Sequence, residues 1–280
     1  APVNISAEFR RQVFDKIRSV ILTSATLSTN GNFHYIRERL GIPARLDDTG
    51  GPSRTDNTGS STCYLGREEC FEKIMIYIPE SIPDPNREAE EFTLESIRQI
   101  RDILIATQGR SFVLFTSFQM LNIVYEGLKT SLSSFALFKQ GDKPRYKLVE
   151  EFKTAHKSVL FGTITFWQGI DVPGKALECV IITRLPFAVP DDPITEARMA
   201  LLKTQNRDPF IHYQMPQAIT LLRQGFGRLI RSKSDMGIVA ILDPRIKTRH
   251  YGRFFLNSLP DCGKTSDIKS IERFLDKHRG

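Results

Sequence analysis

The chain has 280 residues, 40% of them hydrophobic and 25% charged, with a formal net charge of +7. That composition is ordinary for a globular protein, and the length allows one large domain or two small ones. No apolar run reaches the about 18 residues of a membrane span, and APVNISAEFRRQVFDKIRS at the start lacks the apolar core of a signal peptide, so a cytoplasmic location with no membrane partner is expected. The positive charge suits a polyanionic partner, but the basic residues are spread along the chain, so any patch has to be assembled by folding. Cys63, Cys70, Cys179 and Cys262 include no C-x-x-C pair, and no histidine follows at finger spacing. They read as free thiols of a reducing compartment, and no metal is expected on this chain.

In chain order, SVILTSATL (19–27) is an apolar, β-branched run that reads as a buried strand entering a loop. FHYIRERLG (33–41) reads as a short helix closed by Gly41. The segment 43–62 is rich in Gly, Ser, Thr, Asp and Pro and reads as an exposed or disordered loop. From there strands and helices alternate. Strands are expected at 74–79, 111–117, 135–140, 158–163, 177–185 and, as the last core strand, 236–243. Helices are expected at 92–109 (with Gly109 as the stop), 118–132, 146–156, 193–206 and 216–231, with two terminal helices around 248–257 and 266–278. Each strand is a near-continuous apolar run, which indicates an α/β fold whose parallel sheet is covered by helices on both faces.

In such sheets ligands bind beyond the carboxyl ends of the strands. Ser24 and Thr26 follow the first run, Thr116 and Ser117 end the third, and Thr163 ends SVLFGT. Small hydroxyls there suit phosphate contacts, although each can equally cap the helix that follows.

Two segments carry the chemistry. QGFGRLIR (224–231) puts Gln224, Arg228 and Arg231 on one helical face, because residues three or four apart project together. Two guanidiniums and an amide suit a transferring phosphoryl group, whose negative charge arginines stabilise. Gly225 and Gly227 weaken the helix but permit close approach of a ligand. A solvated basic helix end is the plain alternative. TITFWQGIDVPG (163–174) presents Trp167, Gln168, Gly169 and Asp171 on a polar turn. An acidic residue near a phosphate site commonly accepts hydrogen bonds from a ribose. Trp167 can stack on a base or pack in the core, and Asp171 can simply be a turn residue ahead of Pro173.

At this point a family resemblance emerges. ILTSATL (21–27), LFTSF (114–118), GTITFWQGIDVPG (162–174) and QGFGRLIR (224–231) resemble motifs III, IV, V and VI of superfamily 2 helicases, in order and in spacing. RERLGI, YIPESIPDPN, ITRLPFAVPDDPITEAR, ILDPRI and YGRFFLNSLP are similar to the C-terminal half of bacterial DinG helicases, relatives of XPD.

The resemblance implies a second RecA-like motor lobe of an ATP-driven DNA helicase, with ATP and Mg²⁺ as cofactors and single-stranded DNA as partner. Arg228 and Arg231 would then face the γ-phosphate as arginine fingers, with Gln224 placing the phosphate or the attacking water. Gln168, Gly169, Asp171 and Gly227 would line the nucleotide cleft. Thr116, Ser117, Thr163 and Trp167 would contact the nucleic acid, and Ser24 and Thr26 would couple it to the nucleotide. Gln168 stands where family members often carry Glu. The family's iron–sulfur cysteines belong to the other lobe, so no cluster is expected here.

The sequence lacks a Walker A loop and an acidic Mg²⁺ motif. The only GK[ST] is Gly263-Lys264-Thr265, preceded by Ser258 where a P-loop needs glycine. It reads as a helix start with Thr265 or Ser266 as cap. The implied organisation is a motif III segment of the first lobe (1–28), a connector (29–66) and the second lobe (67–280), inactive as an ATPase until a first lobe, in the same polypeptide, supplies the phosphate cradle. A nucleic-acid-binding module without motor activity is the alternative. A nuclease is disfavoured, since Asp191-Asp192 is the only carboxylate group of note and lies in a proline-flanked turn.

Overall fold

The computed structural model describes residues 4–24, 29, 33–42, 72–163, 166, 172, 176–188, 192–229 and 235–279. In chain order the elements are α1 (Ser6–Phe9, continuing as a π-helical turn Arg10–Phe14), α2 (His34–Leu40), β1 (Ile74–Tyr77), α3 (Ala89–Thr107), β2 (Ser111–Phe115), α4 (Phe118–Lys129), β3 (Ala136–Lys139), α5 (Arg145–Thr154), β4 (Ser158–Thr163) and β5 (Cys179–Ile182). Then follow α6 (Pro193–Thr204), a π-helical turn (Phe210–Gln214), α7 (Met215–Leu229), β6 (Gly237–Ile241), α8 (Arg245–Thr248), α9 (Gly252–Ser258), β7 (Gly263–Thr265) and α10 (Ile268–Arg279).

The chain divides into two compact units, Ala1–Glu68 with Phe187–Arg223, and Glu69–Pro186 with Gln224–Gly280. The second unit contains a seven-stranded sheet of order β3-β4-β2-β5-β6-β1-β7, parallel at every pairing. Side chains alternate across a strand, so both faces must be apolar for such a sheet to be buried on both sides. One face presents Val113, Phe115, Val159, Phe161, Cys179, Ile181, Ile238 and Ala240, packed with Ile100, Leu104, Leu121, Val124 and Ile271 of α3, α4 and α10. Residues of opposite parity, Phe112, Leu114, Val180, Ile182, Val239 and Ile241, are equally buried, and Phe112 meets Phe152 of α5 at 4.8 Å between ring centroids.

Local signals explain the boundaries. Ser117 accepts a hydrogen bond from the Met120 N–H (3.3 Å) and so caps α4. Asp192 caps α6 through the Thr195 N–H (2.8 Å), with Pro193 at the first position. α3 ends on Gln108 and Gly109, both at positive φ, and a Cβ on Gly109 would lie 2.5 Å from the Lys157 backbone, so glycine is required there. At the amino end of β5, buried Glu178 accepts from Arg110 (2.5 Å) and from Arg279 of α10 (2.5 Å). The same Arg279 donates to the Thr107 carbonyl (2.7 Å), which ties the last helix to the end of α3.

Two expectations are corrected. Residues 19–24 form no strand; Ile21 is 87% exposed, because no described strand lies alongside to complete its hydrogen-bond ladder. Gly263-Lys264-Thr265 is not a helix start but β7, an edge strand paired with β1, and α10 begins only at Ile268. Thr265 Oγ1 instead accepts from the Asp267 N–H (3.1 Å), and Asp267 accepts from the Lys269 N–H (3.1 Å) at the true helix entrance. The loop expected at 43–62 lies outside the described residues.

Candidate nucleotide and nucleic-acid site

The parallel register brings three of the named hydroxyl residues to one edge. β2 and β4 are neighbours with Phe115 opposite Thr163, so Thr116, Ser117 and Thr163 lie at adjoining strand ends. They are not equivalent. Thr116 is partly exposed and Ser117 exposed, with its Oγ at the α4 cap. Thr163 is only 6% exposed, and both its N–H (2.7 Å) and its Oγ1 (3.0 Å) donate to Gln140 Oε1. Gln140, just past the end of β3, was not singled out from the sequence. Its signal was its place in FALFKQ, and its importance rests on β3 lying beside β4. Arg145 of α5 stacks over the Phe166 ring at 5.4 Å, adding a guanidinium to the same region.

The other assembled group is on α7. Gln224 and Arg228 are one helical turn apart, with Gly227 on the same side. Gln224 Oε1 is buried and has no hydrogen-bond partner among the described residues. A buried acceptor left unpaired costs about 1–3 kcal/mol, so such a group marks a place where a donor or a polar ligand fits. A Cβ on Gly227 would meet nothing within 4 Å among the described residues. Arg228 is half-buried in the last turn. Arg231, Trp167, Gln168, Gly169, Asp171 and Thr26 lie outside the described residues. Ser24 is exposed and belongs to the other compact unit.

A third cluster closes the carboxyl ends of β1, β5 and β6, built from the segments YIPESIPDPN, ITRLPF and ILDPRI. Asp243 is fully buried; it accepts from the Leu185 N–H (2.7 Å) after β5 and pairs with Arg245 (2.6 Å). Lys247 donates to the carbonyls of Ile78 (3.0 Å) and Pro79 (2.9 Å) after β1. Arg249 reaches Asp84 (3.2 Å), whose carboxyl is held below the usual carboxylate range first by the Asn86 N–H and then by this guanidinium. Arg184 lies over the Phe92 ring at 5.1 Å and donates to the Pro85 carbonyl (3.1 Å); burial, and then the neighbouring Arg245, pull its pKa down. Among the described residues no group of three His, Cys, Asp or Glu side chains is placed to hold a metal ion, and no helix is long and apolar enough to cross a membrane.

A seven-stranded parallel sheet flanked by helices, with polar groups gathered beyond its carboxyl ends, is a RecA-like α/β lobe. A solved structure of XPD helicase has the same fold: TM-score 0.55 at 17% identity, covering 69% of this chain and 36% of that one. Residues 100–262 match the helicase C-terminal domain, and the chain belongs to that family. It is 36% identical over 275 residues to the ATP-dependent DNA helicase YoaA of Haemophilus influenzae, covering 98% of this chain and 40% of the relative. It is 39% identical over 257 residues to the 3'-5' exonuclease DinG of Bacillus subtilis, covering 89% of this chain and 26% of the relative. The chain thus spans at most two fifths of the length of these relatives.

Proposed function

We propose that this chain is the C-terminal motor lobe of an ATP-dependent, DinG-like DNA helicase, working in the cytoplasm on single-stranded DNA. The observation that carries the reading is the face of α7. Among the described residues a buried acceptor on Gln224 lacks a partner and a Cβ on Gly227 would meet nothing within 4 Å, and Arg228 stands one turn on. These residues fit a nucleotide phosphate. Arg228 and Arg231 neutralise the charge that spreads over the γ-phosphoryl oxygens during transfer, and Gln224 orients the phosphate or the attacking water. Gln168, Gly169 and Asp171 complete the nucleoside side. The bound ATP·Mg²⁺ supplies the phosphoryl group and part of the countercharge; a first lobe holds the metal and the β-phosphate.

In this reading residues 1–28 belong to the end of the first lobe, 29–66 connect the lobes, and 67–280 form the second. The lack of strand pairing at 19–24 is consistent with a segment whose sheet neighbours come from elsewhere. Thr116 and Ser117 offer hydroxyls to the DNA backbone. Thr163 contributes indirectly, by holding Gln140 at the strand end; in this reading Trp167 contacts the nucleic acid, and Ser24 and Thr26 couple it to the nucleotide. The test is Arg228→Ala and Arg231→Ala in the polypeptide that joins this chain to a first lobe. Each is expected to lower ATP turnover by about 10³–10⁵ while single-strand binding persists. Unchanged turnover would remove the finger assignment and favour a binding module.

A further inference from the structure

Two large aromatic side chains stand in solvent at the same edge as the strand-end hydroxyls, and the motor reading gives them no task. Phe118, 51% exposed, opens α4 immediately after Thr116 and Ser117. Tyr146, 63% exposed, lies in the first turn of α5, beyond β3. In the order β3-β4-β2 a single strand separates β2, which α4 follows, from β3, which precedes α5, and the two helices cover opposite faces of the sheet. Strands lie roughly 4.8 Å apart, so β2 and β3 end roughly 10 Å apart at this edge, and each is followed by the helix start that carries its ring. Neither ring is needed by the core, which is filled by Met120, Leu121 and Val124 of α4 and by Leu148 and Phe152 of α5.

The surroundings are basic. The segment from Lys139 to Lys147 carries Lys139, Lys143, Arg145 and Lys147 against a single acid, Asp142. Lys143 is engaged by Glu151 (2.6 Å), and Lys139 lies 3.7 Å from Asp142. Arg145, whose guanidinium also lies over the Phe166 ring, and Lys147 are both exposed and flank Tyr146 directly. Exposed π-faces interleaved with cations are the chemistry that recognises single-stranded nucleic acid, because every base has a face to stack and every linkage a charge. A protein partner would call for an apolar patch rather than two separated rings in a basic field.

Resting on the single-strand reading above, we propose that Phe118 and Tyr146 form a base-stacking step for single-stranded DNA, with Arg145 and Lys147 on the adjoining phosphates. The strand is then gripped by its bases as well as by its backbone.

The experiment is fluorescence anisotropy of the chain with a labelled oligothymidylate and with an abasic oligomer of equal length. Tyr146→Ala and Phe118→Ala are each expected to weaken oligothymidylate binding by about 5- to 100-fold and to leave abasic binding unchanged. Tyr146→Phe should retain affinity, and Tyr146→Trp should show added fluorescence quenching on binding oligothymidylate. Both positions are exposed, so the variants should fold, which circular dichroism checks. If the aromatic variants weaken both oligomers equally or neither, the stacking step is wrong while backbone binding stands. If the unsubstituted chain binds neither oligomer, the single-strand reading itself is wrong.

Discussion

The carboxyl ends of β1, β5 and β6 finish in a closed lattice, whereas those of β2 and β3 lead into helix starts that carry exposed polar and aromatic residues. In the first region Asp243 is fully buried and holds both Arg245 and the Leu185 N–H, and Lys247 and Arg249 fasten the segment after β1. In the second, Thr116 is partly exposed and Ser117 exposed, Phe118 and Tyr146 lie in solvent, and Thr163 is buried against Gln140. Both regions are rich in cations, so charge alone does not distinguish them. The difference lies in burial: Asp243 and Arg245 of the first region are almost wholly enclosed, whereas the Lys143–Glu151 pair of the second lies at the surface. Where the pair is enclosed, the cluster fixes loop geometry; where rings and hydroxyls remain exposed, the edge is suited to an external polyanion.

That contrast predicts an ordered set of effects. Asp243→Ala strands a mostly buried Arg245 and is expected to lower unfolding stability by about 3–5 kcal/mol, read by chemical denaturation, with single-strand affinity per folded molecule unchanged. A loss of affinity with intact stability would erase the distinction between the two regions. Ser117→Ala removes a helix cap and should cost about 1 kcal/mol. Because Ser117 is also exposed at the strand end that the single-strand reading assigns to the DNA backbone, the change should weaken single-strand binding as well, and Ser117→Asp should restore the cap but not the binding. Equal rescue of both would reduce Ser117 to a cap. The smallest effect concerns β5, at the centre of the sheet: burial pushes the Cys179 thiol up to about 12, so its thiolate is scarce at neutral pH. It should resist a maleimide in the native state and react at once in denaturant, as mass spectrometry would show.

Much of this architecture is legible in the sequence, for identifiable reasons. SFVLF, SVLFGT and GIVAI are continuous apolar runs because both sheet faces are covered, and the structure places β2, β4 and β6 on them. Gly41 and Gly109 end helices because each adopts a positive φ. SVILTSATL misleads because composition reports only a tendency to extend, while a strand also needs neighbours. β7 gives no signal in the sequence because Gly-Lys-Thr is too short to show a period; its place depends on β1, nearly two hundred residues earlier in the chain.

The site divides the same way. Gln224, Gly227 and Arg228 are close in sequence, so helical spacing alone puts them on one face. The pairing of Gln140 with Thr163, and of Asp243 with the segment after β5, depends on strand order, which one sequence does not spell out. The segments ITRLPF and ILDPRI were visible as motifs, but their work as a closing lattice became apparent only once β5 and β6 were neighbours.

The central claim is that this chain supplies half of a two-lobe motor. The measurement that tests it most directly is single-strand-stimulated ATP hydrolysis by the chain alone and by a polypeptide that joins it to a first lobe. The account predicts no turnover alone and stimulated turnover when joined. Turnover by the chain alone, or none in either form, would contradict it.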